Sequence, residues 1–263
     1  MRRLIRSVLQ RSLPPKVFTP IMARRSRTHQ AAFLRQVGLA ALAAKFTAAF
    51  GLTVRYGPCH GLKYTPEAAR DRLIICKLLG SYEKELHRVF ETADFVNYDC
   101  IVDVGCAEGY YAIGLALRTR CSVFAFDAAG PEIELARGMA LQNGVADRVR
   151  FGSWCSPESL KTIVKQHAKP LVFSDCEGYE TELFTEEVIP ALRSSDLLIE
   201  LHGTAKDILP DRLQNTHEIE LIPSTDRSDS QYEELRDLSP DIREFVLDEF
   251  RKQQYWLWAR ACS

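Results

Sequence analysis

Two groups of residues in this chain have types and spacings suited to chemistry. The first begins in IVDVGCAEGYYAIGLA, residues 101–116, where a short apolar run carrying Asp103 meets Gly105 and Gly109 and then a stretch of small and apolar residues. Glycines allow a sharp turn that exposes backbone N–H groups, and the helix that follows offers unpaired N–H donors and a partial positive charge to an anion. The next apolar run, SVFAFD, ends in Asp127. A carboxylate there can accept hydrogen bonds from both hydroxyls of a ribose; its plain structural role would be to cap a helix starting at Pro131. The second group lies in LVFSDCEGYETELF and DLLIELHG, which supply Asp175, Glu177, Gly178, Glu180, Glu200 and His202. Side chains alternate along a strand, so Glu200 and His202 share a face. His202, whose ordinary pKa lies near neutral, is a candidate proton acceptor for a weak nucleophile, with Asp175 or Glu177 to orient it or the nucleophile. Asp175, Glu177, Glu200 and His202 also form a donor set of hard oxygens and one imidazole suited to Mg²⁺ or Mn²⁺. That metal reading ranks below a metal-free acceptor pocket. Glu180 and Glu182 read as first-turn acids of the next helix, where the dipole favours them.

The elements that must position these groups follow from periodicity. Strands are expected at Cys100–Val104, Ser122–Phe126, Arg148–Phe151, Leu171–Ser174 and Asp196–Leu201. Helices are expected at Gly109–Thr119, Pro131–Asn143, Ser156–His167 and Thr181–Arg193. Such alternation implies right-handed βαβ units and a doubly wound, mostly parallel sheet. Two later strands, His217–Ile222 and Tyr255–Arg260, flank a helix over Pro240–Gln253 with Ser239 as its cap. Upstream, a helix over Ala31–Phe50, a short hairpin over Thr53–Tyr64 and a helical stretch from Glu67 to about Asp94, broken near Gly80, form a helical N-terminal extension. The division is a basic tail and helical extension over residues 1–95 and an α/β domain over 96–263. Trp256 and Trp258 alternate in QQYWLWAR and read as core.

The glycine corner separates two ligands. A dinucleotide fold wants Gly-x-Gly-x-x-Gly, the second glycine admitting the pyrophosphate and the third close helix packing. Counting from Gly105, this chain has Ala107 and Tyr110 in those places. The pattern present is Asp-x-Gly-x-x-x-Gly, which resembles the first motif of class I S-adenosylmethionine-dependent methyltransferases. The sequence D-x-E-G-x-E followed by I-E-L-H, with GSYEKEL (residues 80–86) upstream, resembles the FkbM-like family of these enzymes, over roughly Gly80 to His202. The resemblance implies a seven-stranded Rossmann-like methyltransferase fold. It implies S-adenosylmethionine held by Asp103, Gly105, Cys106, Ala107, Glu108, Gly109, Tyr110 and Asp127. Tyr82 and Glu83 would close over it or, equally, belong to an ordinary helix with Tyr82 in the core and Glu83 in solvent. It also implies O-methylation of a hydroxyl on a sugar, glycan or secondary metabolite. The chain carries Cys106 and Glu108 where alanine and a non-acidic residue are usual, and Cys176 and Tyr179 in place of small apolar residues. The alternatives are an NAD-dependent oxidoreductase, or a non-catalytic cofactor-binding domain carried on a basic membrane- or RNA-binding tail.

Composition bounds the rest. At 263 residues, 46% hydrophobic and 26% charged, the chain can build a substantial core. The net charge of -1 gives no case for nucleic acid, but its distribution is lopsided: no Asp or Glu precedes Glu67. The basic segment to about Gln30 holds Pro14, Pro15 and Pro20. It reads as a solvated tail ahead of a transit peptide or a weak membrane-surface contact. Eight cysteines without a CxxC pair read as reduced, mostly buried thiols of a cytoplasmic enzyme.

Overall fold

The computed structural model describes residues 28–225, 232–249 and 253–262. The basic segment before Thr28, for which a solvated tail was expected, lies outside the described residues. The chain enters through α1 (Thr28–Phe50), then α2 (Ile74–Leu79) and α3 (His87–Thr92). The α/β part follows as β1 (Cys100–Val104), α4 (Tyr110–Arg118), β2 (Ser122–Phe126), α5 (Gly130–Gln142), β3 (Val149–Gly152), α6 (Pro157–Val164), β4 (Pro170–Ser174), α7 (Glu180–Leu183), β5 (Asp196–Glu200) and α8 (Ala205–Leu213). The chain finishes with β6 (His217–Pro223), α9 (Pro240–Leu247) and β7 (Tyr255–Ala261). Among the described residues no helix is long and apolar enough to cross a membrane.

The seven strands form one sheet in the order β3-β2-β1-β4-β5-β7-β6. All pairs are parallel except those of β7, which runs antiparallel to both β5 and β6. This is the expected doubly wound, mostly parallel Rossmann-like sheet. Its insertion of an antiparallel β7 beside β5 departs from the 3-2-1-4-5-6 order of dinucleotide-binding sheets. The strand order reverses between β1 and β4, so the crevice for a ligand opens at the carboxyl ends of these strands.

Alternation along the strands fills two cores, one on each face. Ile101, Val123, Leu171, Phe173, Leu198 and Trp256 face a layer that includes α4 and the helices before β1. Val102, Val172, Leu197, Ile199, Leu257 and Ala259 face α6 and α8. Trp256 and Trp258 lie in the first of these cores, as expected.

The helical expectations met limits set by capping and proline. The stretch from Glu67 to Asp94 is broken into α2, α3 and single 3-10 turns, with Gly80 in the left-handed region closing α2 through bonds to the Cys76 and Lys77 carbonyls. Thr181–Arg193 is not one helix. α7 ends at Phe184, whose φ of -97° and ψ of 60° leave the helical region, and Pro190 lies in a separate 3-10 turn, Ile189–Leu192. The Thr53–Tyr64 hairpin reduces to one antiparallel bridge, Thr53 with Lys63. Ser156 caps α6 by accepting the Ser159 N–H at 3.1 Å. Ser239 precedes α9 without such a side-chain bond. All eight cysteines are free thiols, and five of them are buried.

Candidate active site

The glycine turn after β1 is built from left-handed backbone. Gly105 has φ +87°, Ala107 φ +44° and Gly109 φ +94°. Gly105 has a second constraint, since a Cβ there would lie 1.6 Å from the Asp175 carbonyl oxygen. The turn after β1 thus passes against the turn after β4, and only glycine permits it. The expectation that this turn presents free N–H groups is not met at four of its positions. Gly105 and Cys106 donate to the Phe126 carbonyl at 2.8 and 3.0 Å, Gly109 donates to Cys106 at 2.8 Å, and Ala107 donates to Asp127 Oδ2 at 2.9 Å. β2 lies parallel beside β1, and three of these four donors go to Phe126 and Asp127 at its end.

Asp127 therefore organises two segments. One oxygen takes the Ala107 N–H, and the other takes the Ala129 N–H at 2.8 Å. It is not the helix cap of α5, whose first turn follows Ala129 without a side-chain cap. A carboxylate has about four acceptor positions. Two remain for further hydroxyl donors, and Asp127 is only half-buried.

Beside it a cleft of about 270 Å³ is lined by Gly105, Ala107, Asp127, Trp154, Asp175 and Tyr179, among others. Trp154 follows β3 and is 54% exposed, and its ring lies 4.5 Å from that of Tyr179. The sequence reading missed Trp154. The available signal was positional, since residues just past the carboxyl end of a strand line the crevice in such sheets. Cys155 and Cys176 also line the cleft, and burial pushes each thiol up to about 12, so neither is a ready thiolate.

The remaining turn residues face inward. Asp103 is 1% exposed beneath the turn, and burial, reinforced by Asp175 and Asp127, pushes its carboxyl well above the usual range. Cys106 and Tyr110 are buried. Glu108 is buried too, and its Oε1 accepts the Tyr64 hydroxyl at 2.8 Å and the Lys77 ammonium at 2.6 Å. Lys77 also meets Asp71 at 2.7 Å. Glu108 thus ties the N-terminal extension to the start of α4 and does not line the cleft. Tyr82 stacks edge-on against Tyr110 at 5.4 Å. Glu83 is not in solvent; it is 1% exposed, accepts the Tyr111 hydroxyl at 2.6 Å and donates its N–H to Glu249 at 2.9 Å.

The second group converges at the ends of β4 and β5. His202 Nε2 lies 3.6 Å from Glu177 and 3.9 Å from both Asp175 and Glu200. Among the described residues, the one carboxylate within hydrogen-bond range of the ring is Glu180, whose Oε1 is 2.8 Å from Nδ1. Asp175 or Glu177 was expected to orient the imidazole or the hydroxyl. The buried Glu180, read from sequence as a first-turn acid, holds that place because α7 starts directly beneath the end of β5. The Glu180 hydrogen bond, against burial, raises the imidazole above its ordinary value of 6.5. Burial pushes Glu180 up, but His202 and backbone donors outweigh it and hold this carboxyl below its ordinary value. Ligand atoms of Asp175, Glu200 and His202 fall within 4.8 Å of one another, a spacing a divalent ion could span. Glu177 is not in that trio.

No family model and no curated protein matches the chain. Among solved structures it is similar to a precorrin-8w decarboxylase of Methanobacterium thermoautotrophicum, at 16% identity over 68% of this chain and 89% of that one, with a TM-score of 0.47. It is likewise similar to an S-adenosylmethionine-dependent O-methyltransferase of Thermotoga maritima, at 16% identity, 69% and 66% coverage, and a TM-score of 0.47. A putative tRNA (m1A22) methyltransferase of Streptococcus pneumoniae, in complex with S-adenosylmethionine, matches at 16% identity, 64% and 68% coverage, and a TM-score of 0.44.

Proposed function

We propose that this chain is an S-adenosylmethionine-dependent methyltransferase that methylates a hydroxyl on a sugar, glycan or secondary metabolite, as its resemblance to FkbM-like enzymes implies. The observation that carries the reading is the joint at Asp127. A half-buried carboxylate at the end of β2 is locked to the glycine turn through Ala107 and faces a cleft at the point where strand order reverses. The donor set suits the cofactor: Asp127 has acceptor capacity for both ribose hydroxyls, and the exposed Trp154 ring offers a face to a purine. The apolar walls Val104 and Phe126 complete the pocket.

S-adenosylmethionine, when bound, supplies an electrophilic methyl group on a sulfonium. The protein's own tasks are alignment and proton removal. Asp127 and Trp154 fix the nucleoside end. His202 Nε2 takes the proton of the acceptor hydroxyl as the oxygen attacks. Asp175, on the wall shared with the glycine turn, stands 3.9 Å from that nitrogen and orients the hydroxyl. The rim formed by Trp154 and Tyr179 contributes to acceptor fit.

The test is calorimetric titration of S-adenosylmethionine, with NADH as a control. Asp127→Asn keeps the shape of the side chain and removes the charge. A hydrogen bond to a charged group contributes about 1.5–3 kcal/mol, so affinity should fall on the order of 10- to 100-fold. Wild-type protein that binds NADH and not S-adenosylmethionine would overturn the reading.

A further inference from the structure

The turn after β4 and the end of β5 meet in a contact whose parts are separated by 22 residues. Glu180 is 0% exposed, and its Oε1 accepts the Gly178 N–H at 3.1 Å while lying 2.8 Å from His202 Nδ1. The backbone makes this arrangement. Glu177 has φ +52° and Gly178 φ +106°, so the chain doubles back and Gly178 points its N–H at the carboxylate two residues on. A carboxylate so pinned cannot follow the imidazole if it turns. Among the described residues, the other charged groups around the ring are Asp175, Glu177 and Glu200. All three are acids, all lie 3.6–3.9 Å from Nε2, and Asp175 and Glu177 line the cleft.

We propose that Glu180 is a positioning residue: pinned by the Gly178 N–H, its carboxylate holds His202 in the Nδ1–H tautomer and leaves Nε2, on the side of the cleft-lining Asp175 and Glu177, as the proton acceptor. A carboxylate accepts only, so it keeps the ring proton on the nitrogen it touches and leaves the lone pair on the other. The role as proton acceptor rests on the methyl-transfer reading; the tautomer and its cause do not. The spacing of Glu177-Gly178-x-Glu180 thereby has a physical purpose, with two residues making the turn and the third using it.

The test uses the full chain and needs no acceptor. ¹⁵N NMR of the ring nitrogens reads the tautomer and the titration midpoint. The pH dependence of His202 acylation by diethyl pyrocarbonate, followed by peptide mass spectrometry, reads the reactivity of Nε2. The native protein should show neutral His202 with its proton on Nδ1. In Glu180→Gln the midpoint and the onset of acylation should move to lower pH, and Glu180→Asp, which restores the charge, should bring them back toward native. A native ring with its proton on Nε2 would overturn the proposal even if every variant misfolds. So would a midpoint and acylation profile unmoved in folded Glu180→Gln. Calorimetric binding of S-adenosylmethionine should persist in this variant. Failure of the native chain to bind it would sink the methyl-transfer reading and leave the tautomer result standing.

Discussion

Two clusters of charge flank the glycine turn, and they differ in access to water. Lys77, Glu108, Asp71 and Tyr64 form one, between the N-terminal extension and α4. His202, Glu180, Asp175, Glu177 and Glu200 form the other, at the ends of β4 and β5. In the first, Lys77 and Glu108 side chains are 7% and 6% exposed. Burial depresses the Lys77 ammonium, yet Glu108 and Asp71 outweigh it and raise its pKa, so the charge stays. In the second, His202 keeps 17% exposure and its Nε2 stands at no closer than 3.6 Å from any carboxylate in these pairs. A sealed pair has both partners committed and functions as a clasp. A cluster with one satisfied nitrogen and a second nitrogen beyond hydrogen-bond distance of its neighbouring carboxylates has capacity left for a substrate.

The two clusters should respond most differently to substitution at their centres. His202→Gln should lower methyl transfer on the order of 10²- to 10⁴-fold while calorimetric S-adenosylmethionine binding persists, because removal of a positioned base costs that much. Retained turnover would deny the second cluster its role. Lys77→Met should destabilise the fold by about 3–5 kcal/mol in urea unfolding, since Glu108 is left buried and uncompensated. The double variant Lys77→Met with Glu108→Leu should recover most of that loss, because a well-packed apolar pair can replace a buried ion pair. A single-variant cost under about 1 kcal/mol, typical of exposed pairs, would mean the clasp is open to water after all.

A smaller effect sharpens the contrast through pH. Glu180 is held below its ordinary value of 4.5, so the unfolded chain binds its proton more readily. Its contribution to stability is present above that value and is lost as pH falls through the folded one. His202 runs the other way. Its raised pKa contributes stability below 6.5 that is lost as pH rises through the folded value. Urea midpoints measured across both ranges should therefore show a loss on each side, and Glu180→Gln should flatten both. An unchanged profile in that variant would mean the pair carries no linkage.

What the chain alone made readable were the local matters. The strands of the parallel sheet and the helices between them follow from side-chain periods of about 2 and 3.6, and each is a property of adjacent residues. Gly105 and Gly109 were legible for the same reason, since a turn that needs positive φ declares itself in composition. The place of Asp127 beside the cleft was legible from its position at the end of β2. The long-range pairings were not. Glu108 looked like a cofactor contact because it sits in the glycine turn, and only packing against the extension gives it to Lys77, 31 residues upstream. Glu180 looked like a first-turn acid because acids favour helix starts, and only the adjacency of β4 and β5 brings it under His202. Trp154 carries no motif, and the lateral order of strands puts it on the cleft. Backbone conformation is set largely by neighbours in sequence, whereas the partner of a charged side chain is whichever group the folded core leaves beside it, and that is decided in tertiary structure.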